Sequence, residues 1–325
     1  MSSKRNSLRL ICAAAICAAS NLTFAQTFLN KPLHIVVPFG VGGVADLTAR
    51  AIGQKLSEHL GQPVVVDNRP GAGGLIGGNM VAKSDPDGET LLLMSNATAV
   101  SAGLFASLPY DTKRDFAPVS LLGTFDLAVV VPENSRFKSL KELIEFGRSH
   151  PGELNIGTIN IGSTQHLAAE LMRTQANFNA QIIPYKGTPA VISALRGGQI
   201  DLAVELVGPL KPQVSAKTLR LLGVMGAQRA KDLPDVPTLS ELPGLSNFNV
   251  SSWNALAAQG KTPKAVIEKL NVEVKKILDD PAVVKQLASF NVHAQSSTPQ
   301  QLGSLLDSEI TRWSGVIKSA GIEKK

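Results

Sequence analysis

The stretch Ile35-Val36-Val37-Pro38-Phe39-Gly40-Val41-Gly42-Gly43-Val44-Ala45-Asp46 reads as a strand, a glycine-rich loop and the start of a helix. The first backbone N–H groups of a helix have no partner within it, and its N-terminus carries about half a positive charge. A loop without side chains lets an anion rest on those bare amides, and Gly40, Gly42 and Gly43 supply such a loop. Asp46 is the expected N-cap, and Leu47, Ala51, Leu56 and Leu60 then trace one apolar helix face.

Outward from this unit, short β-branched runs alternate with helical patterns. Expected strands are Leu33 to Val37, Val64 to Val66, Thr90 to Met94, Leu127 to Val131, Leu154 to Gly157, Ile182 to Pro184, Ile200 to Val204, Leu219 to Val224 and Val250 to Ala257. The alternation argues α/β with a mainly parallel sheet. Ser139 with Glu142, and Thr298 with Gln301, have capping-box spacing; Thr188-Pro189 and Thr262-Pro263 carry the same kind of start signal. From Thr262 onward the pattern becomes two or three helices around a short segment at Asn291 to Ala294. No long flexible linker or internal repeat interrupts the chain.

The N-terminus limits where such a protein works. Lys4, Arg5 and Arg9 precede an apolar run from Leu10 to Ala19 and small residues at Thr23 and Ala25, the pattern of a secretory signal peptide spanning residues 1–25. The run is shorter than the roughly 20 residues a membrane anchor needs. Cys12 and Cys17 both fall inside it, so the mature chain has no thiol for a disulfide, and the isoleucine before each cysteine argues against a lipoprotein signal. The expected location is the periplasm of a Gram-negative cell. Cleavage after Ala25 shortens the 325 residues to 300 and removes three basic groups, so the formal charge falls from +6 to +3. No cluster of Lys and Arg interleaved with aromatics remains, and nucleic acid is not an expected partner.

A second loop, Gly157 to His166, also lies between a strand and a helix, with hydroxyls at Ser163 and Thr164. It is positioned to be the opposing jaw of one site. Ser163 with His166 admits a nucleophilic reading, although a GxSxG elbow is absent; the simpler role for Ser163 is to cap the helix. Gly40 to Ala45 matches GxGxxA with Asp67 downstream, a dinucleotide pattern weakened by the crowding of Pro38 and Phe39 and by export. The five histidines are scattered and no metal-ligand spacing occurs, so neither metal nor cofactor is expected. A third glycine run, Asn68 to Gly74 with Gly77 and Gly78, fits either a ligand-lining loop or close helix packing.

Taken in order, these segments resemble the Bug family, the TctC-like extracytoplasmic solute receptors of tripartite tricarboxylate transporters. The likeness spans nearly the whole mature chain. It rests on Val-Val-Pro-Phe-Gly with Gly42, Gly43 and Asp46, on Gly61-Gln-Pro-Val-Val-Val-Asp-Asn-Arg-Pro-Gly-Ala-Gly-Gly74, on Asp85-Pro-Asp-Gly88 and on Leu108-Pro-Tyr-Asp111. Asp115-Phe-Ala-Pro-Val119, Gly162-Ser-Thr-Gln-His-Leu167, Pro184-Tyr-Lys-Gly187, Gly197-Gly-Gln-Ile-Asp201, Leu233-Pro-Asp-Val-Pro-Thr238 and Trp253 continue the match.

The resemblance implies a two-lobed type II periplasmic-binding-protein fold, with residues 26–127 plus 251–325 in one lobe and 128–250 in the other. The crossings are expected near Phe125 to Val131 and Val250 to Ala257. It further implies a non-enzymatic receptor that closes on a small organic carboxylate or amino-acid-like ligand and presents it to membrane transporter subunits. A sensor kinase as recipient, or an exported serine hydrolase built on Ser163, are the alternatives. The ligand-binding set implied is Phe39, Gly40, Gly42, Gly43, Ala45, Asp46, Ser95 and Asn96 from one lobe, with Thr158, Gly162, Ser163, Thr164, Tyr185 and Glu205 from the other. Several positions depart from the family pattern: Val41 replaces a common proline, Ala45 a threonine, Ile161 a small or polar residue, Glu205 an aspartate and Asn254 an aromatic. If Glu205 faces the cleft, its charge is expected to repel a dianion and favour a ligand amine or hydrogen-bond donor; otherwise it is an exposed carboxylate at a strand end.

Overall fold

The first strand of the computed structural model, β1 (Leu33–Val37), is followed by the glycine loop and α1 (Val44–Leu60). Residues 31–230 and 232–324 are described; the signal-peptide reading, with Cys12 and Cys17, lies outside them. β2 (Val64–Asn68), α2 (Leu75–Ala82), β3 (Thr90–Ser95) and α3 (Asn96–Leu104) complete the first βα series. β1 runs parallel to both β2 and β3, so the carboxyl ends of the three strands lie together.

The long β4 (Phe116–Pro132) joins two sheets. Residues from Phe116 to Asp126 pair antiparallel with β9 (Ser251–Gln259), which itself pairs with β3. From Leu127 onward the partners of β4 are β7 (Leu202–Leu206) and β8 (Leu219–Val224). The second sheet also contains β5 (Leu154–Ile159), parallel to β6 (Ala180–Tyr185) and to β7. The helices α4 (Leu140–Ser149), α5 (Thr164–Gln175), α6 (Thr188–Arg196) and α7 (Val207–Ser215) belong to this half. The backbone of Met225 ties the return path together, donating to Leu127 and accepting from Val250.

After β9 come α8 (Lys264–Asp279), α9 (Pro281–Ser289), the two-residue β10 (His293–Ala294) on β4, and α10 (Pro299–Ser319). α10 packs along α3 and also reaches β4 and α5. Its start has the complete Thr298–Gln301 capping box. The apolar periodicity of the helices is spent on the sheets: Ala51, Ile52 and Leu56 of α1 cluster with Leu33, Ile35 and Val37, all at or near zero exposure.

Two expectations need amendment. Each crossing strand runs antiparallel to its neighbours, so the sheets are mixed, with parallel βαβ cores on either side. β4 also begins at Phe116, well before Leu127. Pro118 and Gly123 interrupt its pattern, and both sit beside register shifts in the pairing with β9, the kind of place where a strand accommodates proline and glycine. Ser297 satisfies backbone freed at the bulge: Leu121 N–H donates to Ser297 Oγ at 3.0 Å. No helix among the described residues is long and apolar enough to cross a membrane.

Candidate functional site

Five helices begin where parallel strands end. α1 follows β1, α3 follows β3, α5 follows β5, α6 follows β6 and α7 follows β7. Gly43, Ser95, Ser163, Gly187 and Leu206 are their respective N-caps. Crevices outside strand carboxyl ends are where open α/β sheets bind ligands, and helix N-termini from both sheets lie at such ends.

In the first loop the helix starts at Val44, with Gly43 as N-cap, so Asp46 is its third residue and not the cap expected. Its carboxylate reaches back to accept from Gly42 N–H at 2.8 Å. Asn68 Nδ2 donates to Asp46 Oδ1 at 3.0 Å and to the Phe39 carbonyl at 3.1 Å, and Arg50 Nη2 lies 2.9 Å from Oδ1. Burial opposes ionisation of Asp46, but the bonds from Arg50, Gly42 and Asn68 outweigh it and hold the carboxyl below its ordinary value. Asp46 is therefore a brace that shapes the loop from behind. Gly42 is left-handed, with φ of +84°, and a Cβ on Gly40 would meet nothing within 4 Å, so the loop is open on that side. Phe39 and Ala45 are half-buried beside it.

Ser95 and Asn96 start α3. Ser95 Oγ accepts from Ala97 N–H at 3.2 Å. Asn96 is buried; its Nδ2 donates to Thr164 Oγ1 at 3.2 Å, and its Oδ1 accepts from Trp313 Nε1 at 2.8 Å. The same indole also donates to Glu309 Oε2 at 2.7 Å. A buried polar chain thus runs from α10 through α3 to α5.

The second loop turns on Gly162, whose φ is +83° and where a Cβ would come 2.4 Å from Leu104 Cδ2 of α3. Ser163 Oγ accepts from His166 N–H at 3.1 Å and donates to the Ile159 carbonyl at 3.2 Å. These bonds make Ser163 a cap; its link to His166 runs through that residue's backbone. Thr164, 7% exposed, accepts from Asn96 and keeps its own hydroxyl proton for another acceptor. Thr158 is fully buried with an unpartnered hydroxyl, and Tyr185 is half-buried at the end of β6.

Glu205, near the end of β7, is 0% exposed, which rules out the exposed strand-end reading. Oε1 accepts from Gln165 Nε2 at 2.7 Å and from Leu206 N–H at 2.8 Å. Oε2 has no hydrogen-bond partner. Burial pushes the carboxyl above its usual range, against the opposing pull of Gln165, Leu206 N–H and the nearby Thr188 hydroxyl. Glu205 is therefore a sealed group, and its burial disfavours the charged form.

The structure adds Asn68, Gln165 and Trp313 to the residues around the site. Gln165 lies inside the Gly162–Leu167 motif and Asn68 inside the third glycine run, yet nothing local distinguishes them; their partners are 40 and 22 residues away. Gly77 and Gly78 of that third run serve packing: a Cβ on Gly78 would meet the Tyr110 hydroxyl at 2.7 Å. A surface depression of about 640 Å³ lined by Ala102, Phe105, Tyr110 and Arg114 contains none of the candidate residues.

A two-lobed α/β frame with strands passing between lobes and helix N-termini facing a shared crevice defines a solute-binding protein. Residues 48–322 match the model of the tripartite tricarboxylate transporter family receptor, TctC, and the chain belongs to that family of receptors, which are not enzymes. It is 37% identical over 312 residues to a UPF0065 protein of the tcbD-tcbE intergenic region of Pseudomonas sp. strain P51, covering 95% of this chain and 93% of that one. It is 35% identical over 303 residues to protein BugT of Bordetella pertussis, covering 93% of each.

Solved structures agree with this assignment. The periplasmic binding protein BugD superposes with a TM-score of 0.79 at 29% identity, covering 92% of this chain and all of that one. R. palustris Rpa4515, solved with adipate, gives 0.81 at 32% identity, covering 90% and 98%. MatC from Rhodopseudomonas palustris, with bound malate, gives 0.77 at 30% identity, covering 89% and 100%.

Proposed function

We propose that this receptor, exported after cleavage at Ala25, captures a small organic carboxylate between its lobes and delivers it to the membrane subunits of a tripartite transporter. The observation that carries the reading is the convergence of helix N-termini from both sheets on one crevice, bridged by the Asn96–Thr164 hydrogen bond. The adipate and malate held by two relatives support the choice of a carboxylate.

In this reading the ligand carboxylate rests on amides of the first loop at Phe39, Gly40 and Gly43, with Gly42 and Asp46 holding its shape and Ala45 beside it. Ser95 and Asn96 complete the first-lobe wall. Across the cleft, Gly162, Ser163, Thr164 and Tyr185 form the opposing jaw, Thr158 and Glu205 lie beneath it, and Thr164 supplies the free hydroxyl. The lobes comprise residues 26–127 with 251–325, and 128–250, and close by rotation about the two crossings.

Mature protein stripped of copurified ligand should gain melting temperature with a subset of small carboxylates and none with their amides, because binding only to the folded state stabilises it. A panel in which acids and amides behave alike would overturn the carboxylate assignment. N-terminal sequencing of the periplasmic fraction checks export, the expected first residue being Gln26.

A further inference from the structure

We infer that the anion position of the second lobe is already occupied by the protein's own Glu205, and that the receptor therefore selects monocarboxylates with an uncharged far end over dicarboxylates. The inference rests on the carboxylate-receptor reading above and specifies its substrate class. Around the Glu205 carboxyl stand the second residue of α5 (Gln165), the first residue of α6 (Thr188) and the N-cap of α7 (Leu206). Three helix N-termini meet there, which is where an incoming anion would find the most favourable field in this lobe.

Two of the donors at that point are committed. Gln165 Nε2 and Leu206 N–H both bond to Oε1, and Gln165 itself is only 4% exposed. The remaining oxygen, Oε2, is fully buried without a partner. A second ligand carboxylate would lose its water and meet a buried acid in place of free donors, a costly arrangement. A neutral ester or hydroxyl brings no second charge to desolvate, and a hydroxyl is a donor of the kind Oε2 lacks. The loop residues flanking the crevice have the same bias: Val41 on the first-lobe loop is 75% exposed and Ile161 on the second is 44% exposed, so apolar side chains stand where a polar ligand body would want donors. The first lobe retains the open backbone of Gly40, Gly42 and Gly43 for the single carboxylate.

The test is calorimetric titration of stripped mature protein with three matched pairs: succinate and monomethyl succinate, adipate and monomethyl adipate, terephthalate and monomethyl terephthalate. In every pair that binds, the monoester should bind tighter than the diacid by about 10-fold or more. Glu205→Gln, which keeps the shape but offers an amide donor, should shrink that ratio. Diacids binding as well as or better than their monoesters to the wild type would overturn the inference and leave the receptor reading intact. Failure of all six probes, with the melting-temperature panel also silent, would overturn both. The wild-type ratios decide even if the variant does not fold.

Discussion

Asn96 and Thr164, 68 residues apart, meet across the two lobes, the amide of the first donating to the hydroxyl of the second at 3.2 Å. Both are buried, and the Asn96 carbonyl oxygen is held in turn by the Trp313 indole at 2.8 Å. One asparagine thus ties the C-terminal helix to α3 and to the Thr164 hydroxyl at the start of α5.

Replacing it should be expensive. Asn96→Ala leaves the Thr164 hydroxyl without its donor and the indole with only Glu309, and should cost about 1–3 kcal/mol of stability. Urea unfolding of purified protein measures this, with the midpoint shifting at constant slope. An unchanged midpoint would mean that the bridge contributes nothing to the folded state.

The neighbouring hydroxyls should separate cleanly. Ser163 caps α5 and gives its proton to Ile159, so Ser163→Ala should lower stability by about 1 kcal/mol and change ligand affinity little. Thr164→Val preserves shape but removes the proton proposed to reach the ligand, a charge-assisted bond whose loss weakens binding by about 10- to 100-fold. Calorimetry on both variants, with whichever acid stabilises the wild type, would reverse the assignment if Ser163→Ala proved the weaker binder.

Asp46 gives an acid-side signature. Its carboxyl is held below the ordinary value of 3.8 in the folded state, so the unfolded chain takes up a proton first as pH falls. The stabilisation is fully present above that value and is lost as pH drops through the lower folded-state pKa. Asp46→Asn should be less stable at neutral pH, by about 1.5–3 kcal/mol, and the gap should close well below pH 3.8. Unfolding curves at a series of pH values test this; a gap constant with pH would place its origin in packing instead.

His293 behaves in the opposite sense. It stands on β10 with Nε2 3.2 Å from Asp126 Oδ2, at the last residue of β4 paired to the first sheet. The bond to Asp126 raises its pKa above 6.5; burial lowers it, the Asp126 and Asp232 charges raise it and Lys211 lowers it. The ion pair therefore favours the folded state below pH 6.5 and fades as pH rises through the elevated pKa. The imidazole is 40% exposed, so the effect is a screened one. Proton NMR titration should find His293 above 6.5 in the wild type and lower in Asp126→Asn; equal values would remove Asp126 as the cause.

Much of the candidate site's framework was legible because helix starts are local. The glycine loop before α1, the Gly162 turn before α5 and the Thr298 box each need only a few consecutive residues to be recognised. β1 and β8 span the residues expected, since β-branched runs bounded by turns report on their own backbone. The first half of β4 was not legible: Pro118 and Gly123 look like breakers until Ser297, brought from 176 residues away, bonds the bulged backbone. Asp46 stands three positions beyond the actual cap, Gly43, because its carboxylate folds backward onto Gly42, a choice made jointly with Asn68 and Arg50.

By itself the sequence determined the βα order, the two glycine-containing loops and the family, because strand periodicity, glycine placement and motif order are properties of neighbouring residues. Tertiary structure decided which groups remain available to a ligand. Ser163, Thr164 and Glu205 are all polar residues near helix starts, yet one is consumed by its own loop, one is left with a free proton by Asn96, and one is sealed with Gln165. A hydrogen bond has a limited number of donors and acceptors to share, and their allocation depends on partners 4 to 68 residues away that only the folded chain brings within 3.2 Å.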